Sequence, residues 1–275
     1  MFELSCDDID FFENQGFLIL KNFLPIQDLN HFSDALRKII EIEIKKCDVS
    51  SGQDRFPEHG EEFDFGMQFL ELNDHKHISN INDILYGMPE IHRLTSNHEI
   101  GKVITKLLNR DLSIGYSPLF CQNMTAVLAY PFDTVHTHRW HKDTFYTLPE
   151  SNFLQIWAPL IQDSTIELGT LKICPGSHKN GHHGQVYLNE EQQYIHRYQI
   201  TDDELSKYKK LDVSLNLGDL LIFHPGLIHS GGNNTSMTTR FSLVATFHQI
   251  DFHKFSPKPI KTALNYYNEL YGTNY

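Results

Sequence analysis

Basic residues are scarce in this chain of 275 residues, where 23 lysines and arginines stand against 35 aspartates and glutamates, a formal net charge of −12. Nucleic acids and anionic membranes recruit proteins through basic surfaces, so the sequence argues against both as partners. No apolar run approaches the roughly 20 residues that span a bilayer. The first residues, including Asp7 and Asp8, are acidic where a secretory signal is basic and then apolar. We therefore expect a soluble, cytoplasmic protein.

Cysteine is also sparse, and no two cysteines form a C-x-x-C pair. The four residues are Cys6, Cys47, Cys121 and Cys174. This spacing excludes a zinc knuckle and a redox dithiol, and it indicates reduced, mostly buried thiols. Internal repeats and low-complexity segments are absent as well. At this length the chain fits one domain, which we place over residues 1–275.

The N-terminal part, to about residue 110, has helical patterns that would support a sheet. Ser5 can cap a short helix, with Asp8 near its positive end, and Gly16 is placed to end it. A strand should follow at 17–20. Pro25 then opens a longer helix, and another is expected near 100–108. The apolar positions of the longer helix share one face: Leu29, Phe32, Leu36, Ile40 and Ile44.

From about 111 to 250 the pattern changes to short β-rich runs separated by Gly, Pro and Asn. The expected strands include 124–128, 153–157, 171–174, 220–223 and 241–247. Many short strands with turn signals indicate an all-β barrel or sandwich. A polar insertion at 180–210 interrupts this core, and a C-terminal helix is expected at about 258–272.

Two histidines and an aspartate have the pattern of a metal site. His141 and Asp143 lie two residues apart, so on a β-strand they would leave the same face, and His229 could supply a third ligand. Two imidazoles and one carboxylate on one side of a metal describe the facial triad of non-haem Fe(II) oxygenases. His136 and His138 compete as ligands, although a strand running through Asp143 would direct them to the opposite face.

The surroundings of these residues carry a resemblance. Trp-His-Lys-Asp stands at 140–143, Gly-Thr-Leu-Lys-Ile-Cys-Pro-Gly-Ser-His-Lys at 169–179, and Gly-Asp with a phenylalanine four residues later at 218–223. Arg240 follows His229 by eleven residues. In this order the blocks resemble the phytanoyl-CoA dioxygenase family of iron- and 2-oxoglutarate-dependent oxygenases. The resemblance covers most of the chain, with Leu168 where family members often carry asparagine.

The resemblance implies a fold and a set of roles. The fold would be mainly β with flanking helices, a double-stranded β-helix or cupin-like jelly roll. His141, Asp143 and His229 would bind Fe(II), and 2-oxoglutarate and O2 would be cosubstrates. Arg240 would hold the distal carboxylate of 2-oxoglutarate by two parallel hydrogen bonds, with Trp157 and Ser230 beside it. The family's serine usually falls one place later than Ser230, where this chain has Gly231.

The function that follows is hydroxylation of a C–H bond of a small-molecule metabolite. A carboxylate at Asp143 argues against halogenation, since related halogenases have Ala or Gly at that position. Two other functions stay open: a metal-binding jelly roll without turnover that serves as a sensor or interaction module, and a zinc hydrolase. An internal salt bridge is the alternative role for Arg240. The sequence does not specify the substrate or the oligomeric state.

Overall fold

The computed structural model describes residues 3–47, 55–109, 118–134, 137, 139–145, 151–180, 186–188, 198–253 and 255. The helix predicted at about 258–272 lies outside these ranges, as do His136 and His138, so their predictions stay untested. None of the helices within the described ranges is long and apolar enough to cross a membrane.

Helices fill most of the N-terminal part. They are α1 (Cys6–Gln15), α2 (Ile26–Lys45), α3 (Met67–Asn73), α4 (His75–Gly87), α5 (Pro89–Thr95) and α6 (His98–Leu108), with a π-helical turn at Glu62–Gly66. The predictions of α1, α2 and α6 are confirmed. The sequence reasoning missed α3, α4 and α5, which are linked by single residues.

The first helix has the predicted ends. The Ser5 side chain accepts a hydrogen bond from the backbone N–H of Asp8, and the Asp8 carboxylate accepts one from the backbone N–H of Ser5. This capping box satisfies two of the free donors at the helix start. Gly16 ends the helix with φ 81°, and a Cβ there would collide with the His178 ring. Glycine is therefore required both by the backbone angle and by the close approach.

The long helix α2 packs on the sheet through its predicted face. All five apolar residues of that face are buried: Leu29, Phe32, Leu36, Ile40 and Ile44. They belong to one hydrophobic cluster with Phe241, Leu243 and Phe247 of the last strand. The helices thus cover one face of the sheet.

The strands form two antiparallel sheets and a separate hairpin. In chain order they are β1 (Phe17–Leu20), β2 (Leu119–Ala129), β3 (Phe153–Pro159), β4 (Leu171–Ile173), β5 (Val186–Leu188), β6 (Tyr198–Ile200), β7 (Leu211–Val213), β8 (Leu220–Phe223), β9 (His229–Gly231) and β10 (Arg240–Gln249). The larger sheet has the order β1-β8-β3-β10-β2, the smaller one β7-β4-β9, and β5 pairs with β6. Each of the six predicted strands overlaps an observed one.

A second hydrophobic cluster lies between the two sheets. Trp157, Leu221 and Phe223 of the larger sheet pack with Leu171 and Ile173 of the smaller one. Two antiparallel sheets closed over a shared core, with helices on the outer face of one sheet, form a jelly roll. The predicted fold class is confirmed.

The polar insertion contributes the hairpin β5–β6 and the short helix α7 (Asp202–Leu205). Thr201 caps this helix by accepting a hydrogen bond from the backbone N–H of Glu204. The backbone N–H of Ile200 donates to the carbonyl of Trp140, which directly precedes His141. The insertion therefore packs beside the segment that carries the H-x-D motif.

Candidate metal centre

His141 and His229 are placed side by side by backbone pairing. They form an isolated antiparallel bridge, in which the N–H of His141 donates to the carbonyl of His229 at 2.9 Å and the reverse bond is 3.0 Å. The two ring centroids lie 4.2 Å apart. Since His229 begins β9, the bridge adds His141 to the edge of the smaller sheet.

Asp143 reaches the same point by a turn, and the prediction of a continuous strand through His141 and Asp143 is wrong. Asp143 begins a 3-10 turn, Asp143–Phe145. The backbone N–H groups of Asp143 and Thr144 both donate to the carbonyl of Pro225, so the chain bends toward the loop before His229. The turn, not strand alternation, brings the carboxylate beside the two rings.

The three side chains converge on one small volume. The Asp143 carboxylate oxygens lie 3.6 Å from Nε2 of His141 and 3.6 Å from Nε2 of His229. One possible ligand atom from each residue falls within 4.8 Å of the others. Two nitrogens and one carboxylate oxygen at such spacing fit a divalent transition metal.

Both histidines have the tautomer that metal binding requires. Nδ1 of His141 lies 2.6 Å from the carbonyl of Arg139, and Nδ1 of His229 lies 2.9 Å from the carbonyl of Leu227. A carbonyl can only accept, so each Nδ1 carries a proton, and Nε2 is the ring nitrogen that each histidine directs toward Asp143. Burial lowers the pKa of His229 to about 4, which keeps its imidazole neutral.

Lys142, the variable residue of the H-x-D motif, was not singled out from the sequence. Its side chain is fully buried. Burial lowers its pKa, and the nearby carboxylate of Glu204 in α7 acts in the opposite direction. Glu204 is itself buried and bonds Lys207 and Tyr208. The charge of Glu204 therefore acts on the residue that directly precedes Asp143.

Arg240, the first residue of β10, is a buried cation. It is 6% exposed, and its Nε and Nη1 have no hydrogen-bond partner among the residues that the structure describes. Burial lowers the pKa of its guanidinium to about 10, so the group stays charged at neutral pH. A buried cation without a partner is costly. Two donor atoms of Arg240 are thus left without an acceptor that an anion could supply, and no internal salt bridge to Arg240 occurs in the described part of the chain.

Trp157 lies beside Arg240 in the structure, whereas Ser230 does not. The guanidinium carbon of Arg240 lies 5.5 Å from the centre of the Trp157 ring. Ser230 follows His229 on β9, so its side chain leaves the opposite face. It lines an outer cavity of about 570 Å³ with Trp140 and Lys172.

Asn234, five residues after His229, is a buried polar residue between β9 and β10. Its side-chain amide donates to the carbonyls of Ala129 and Thr238, at 2.9 and 2.8 Å. These bonds join the end of β2 to the residues just before Arg240. Asn234 is 1% exposed, so its amide replaces water for both carbonyls. The residue therefore positions the start of β10.

A second group of possible ligands consists of Glu41 on α2, the exposed His59, and Glu62 at the start of the π-helical turn. Glu62 is buried and already forms an ion pair with Arg37 and accepts from the backbone of Gly60. The His59 side chain is 81% exposed. Because Arg37 neutralises the buried carboxylate, these residues form an ion-pair cluster and not a metal centre.

The sequence profile of the phytanoyl-CoA dioxygenase family (PhyH) matches residues 12–242. Human peroxisomal phytanoyl-CoA dioxygenase is 23% identical over 260 residues, which cover 93% of this chain and 71% of the relative. Phytanoyl-CoA dioxygenase 1 of Oryza sativa subsp. japonica is 26% identical over 263 residues, which cover 90% of this chain and 89% of the relative.

A solved structure shows the same architecture. EvdO2 from Micromonospora carbonacea var. aurantiaca, complexed with 2-oxoglutarate, superposes with a TM-score of 0.60 at 18% identity, covering 94% of this chain and 96% of that chain. At this identity the likeness shows the fold. The profile match spans most of the chain, including all three residues of the candidate metal centre and Arg240. The chain belongs to the phytanoyl-CoA dioxygenase family.

Proposed function

We propose that this protein is an Fe(II)- and 2-oxoglutarate-dependent oxygenase that hydroxylates a C–H bond of a small-molecule metabolite. One observation carries the proposal: one jelly roll holds both a His-Asp-His set and a buried arginine whose Nε and Nη1 have no partner among the described residues. Family membership supports the reaction class.

In this proposal His141, Asp143 and His229 hold the iron. Their ligand atoms approach from one side, so the remaining coordination positions stay available to cosubstrates and oxygen. Bound Fe(II) would couple the reduction of O2 to the conversion of 2-oxoglutarate into succinate and carbon dioxide, with oxidation of the substrate. The carbonyls of Arg139 and Leu227 fix the two imidazoles, so the ligands are oriented before metal binds.

Arg240 binds the distal carboxylate of 2-oxoglutarate, and Trp157 packs beside it. The unpaired Nε and Nη1 can donate to one carboxylate, a charge-assisted contact of the strong kind. Trp157 lies close enough to the guanidinium for a cation–π contact, which helps fix its plane. Ser230 faces the outer cavity, so we leave it out of the cosubstrate site.

Two other functions are less well supported. A zinc hydrolase would use the same three ligands but gives no role to a buried cation near them. A metal-binding module without turnover has no need of a cosubstrate anchor. Arg240 is therefore the residue that favours the oxygenase over both.

The proposal includes one domain over residues 1–275 and a cytoplasmic location. A single hydrophobic cluster joins α1 to α6 with the larger sheet, which supports one folding unit. All four cysteines are free, as in proteins of reducing compartments. We propose no nucleic-acid or membrane partner, in keeping with the net charge of −12.

Succinate formation tests this function. Purified protein is loaded with Fe(II) or with Zn(II) under nitrogen, given 2-oxoglutarate, and then exposed to oxygen. We expect succinate with iron and none with zinc. Metal binding without succinate formation in either the iron-loaded or the zinc-loaded protein would favour the metal-binding module without turnover. Hydrolytic activity of the zinc-loaded protein would favour the hydrolase.

A further inference from the structure

The register of the larger sheet places the metal centre relative to other interior side chains. The His229 ring packs against Phe223, with centroids 4.9 Å apart. Phe223 pairs with Gln155, and Gln155 pairs with Thr246. Gln155 and Thr246 therefore lie in the row of the sheet that faces the metal centre.

Arg240 lies on one side of the row that contains Gln155 and Thr246. Its guanidinium reaches Trp157, which pairs with Val244, two residues before Thr246. At roughly 3.3 Å per residue, this row lies about 7 Å from the metal row, on the side where 2-oxoglutarate would bind. His248 lies on the other side of that row, two residues beyond Thr246. It pairs with Phe153 of β3 and with Phe120 of β2.

Two interior-facing side chains, one in the metal row and one in the row beside Arg240, are only partly buried. Gln155 and Val244 lie on the two central strands of the larger sheet and are only partly buried, while their strand neighbours are buried. Both face the interior, the side opposite the helices. A partly exposed side chain in the middle of such a sheet indicates an internal chamber beside the metal centre.

His248 is a buried polar side chain at the far end of this interior face. It is 1% exposed, and its Nδ1 lies 2.7 Å from Oγ of Ser151. Its ring packs against Phe153 at 4.9 Å and against Phe120 and Phe255 at 6.0 Å each. Nε2 has no hydrogen-bond partner among the residues that the structure describes. Such a buried, unsatisfied group needs a reason in a native fold, and a ligand is one.

We propose that His248 recognises the organic substrate, with Nε2 hydrogen-bonded to a neutral polar group such as a hydroxyl, carbonyl or amide. This rests on the proposed function, and it deepens that function by naming the substrate class. The described interior-facing residues of β3 and of β10 from Val244 onward carry no carboxylate or cation: Phe153, Gln155, Trp157, Val244, Thr246 and His248. A charged substituent would be buried there without a counter-charge, which is unfavourable.

The positions of His248 and Arg240 also set the orientation of the substrate. His248 and Arg240 mark opposite sides of the metal row, so cosubstrate and substrate approach the metal from different directions. Phe120, which packs on the imidazole and is 36% exposed, offers apolar surface that suits a hydrocarbon frame. The substrate therefore directs its neutral polar group toward the His248 row, on the side of the metal row opposite to Arg240.

Small probe molecules test this inference without knowledge of the natural substrate. Cyclohexanol, cyclohexanone and 2-piperidone carry neutral polar groups, whereas cyclohexanecarboxylate and cyclohexylamine are charged. The full-length protein is loaded with Zn(II) and 2-oxoglutarate so that it cannot turn over, and dissociation constants are measured by ligand-observed NMR. We expect at least one neutral probe to bind, and the charged probes to bind at least tenfold more weakly.

His248→Phe removes Nε2 and keeps a planar ring. The loss of one buried hydrogen bond should weaken the neutral probe about tenfold. His248→Gln, which retains a polar group, should lose less, and Ser151→Ala, which frees Nδ1, should lose an intermediate amount. His31→Phe, at an exposed histidine of α2, is the matched control and should change nothing.

Binding of 2-oxoglutarate to the same variants separates this inference from the proposed function. It should be unchanged in His248→Phe, which also shows that the variant folds. If wild-type protein fails to bind 2-oxoglutarate, the proposed function fails. If 2-oxoglutarate binds but the probes ignore His248, if a charged probe binds best, or if no neutral probe binds, only the assignment of His248 is overturned.

Discussion

Both faces of β10 are largely buried, but they differ in chemistry. Phe241, Leu243, Ala245 and Phe247 face the helices, and Arg240, Ser242, Thr246 and His248 face the interior of the jelly roll. In an antiparallel strand, alternation of apolar and polar residues usually separates a buried face from a solvated one. Here it separates a face that stabilises the fold from a face that lines the candidate site. The two faces can therefore be perturbed independently.

We expect the largest effect from substitutions in the metal centre, which the polar face of β10 lines. His229→Ala or His141→Ala removes one of three ligands, so we expect Fe(II)-dependent succinate formation to be abolished. Asp143→Ala should also lose most activity, because it removes the only anionic ligand among the three. Iron binding is measured anaerobically and succinate after admission of oxygen. Native iron affinity in any of these variants would refute the ligand assignment.

Arg240→Ala tests the polar face itself. Loss of one partner from a shielded arginine–carboxylate pair costs roughly 2 to 5 kcal/mol, so we expect KM for 2-oxoglutarate to rise by about two orders of magnitude. Arg240→Lys keeps the charge but not the two-pronged geometry and should raise KM less. Iron affinity should hardly change. An unchanged KM in Arg240→Ala would mean that Arg240 has only a structural role.

Leu243→Ala tests the apolar face of the same strand. Leu243 is fully buried against the helices, and truncation of a buried leucine typically costs about 2 to 5 kcal/mol of unfolding free energy. We expect a lower denaturation midpoint, measured by chemical unfolding, with KM for 2-oxoglutarate close to the wild-type value. A large change in KM here, without one in stability, would show that the two faces are coupled.

The sequence predicted α1, α2, α6 and the main strands from local patterns, and it predicted the chemistry through the family resemblance. The capping box at Ser5, the apolar face of α2 and the strand at 241–247 follow from spacing alone. The same reasoning gave the wrong path for Asp143, since a turn held by Pro225 can imitate strand alternation over two residues. It also missed α3 to α5, two of which are only seven residues long.

The polar interior could not be predicted from the sequence. Ser242, Thr246 and His248 alternate with apolar residues, a pattern that normally predicts exposure to solvent. Their burial depends on the second sheet, and their partners are distant in the chain: Ser151 for His248 and Gln155 for Thr246. Only tertiary structure reveals that these positions form one surface with Arg240.

The smallest expected effect separates two hydroxyls on that polar face. Thr246 donates to the side-chain carbonyl of Gln155 at 2.7 Å, whereas Ser242 Oγ has no partner among the described residues. Thr246→Val keeps the branched shape and leaves the Gln155 oxygen unsatisfied, so it should cost about 1 kcal/mol of unfolding free energy. Ser242→Ala removes a hydroxyl that makes no bond and should be neutral or slightly stabilising. Parallel urea titrations measure both. Equal losses in the two variants would mean that the Thr246–Gln155 hydrogen bond adds no more to stability than the Ser242 hydroxyl does.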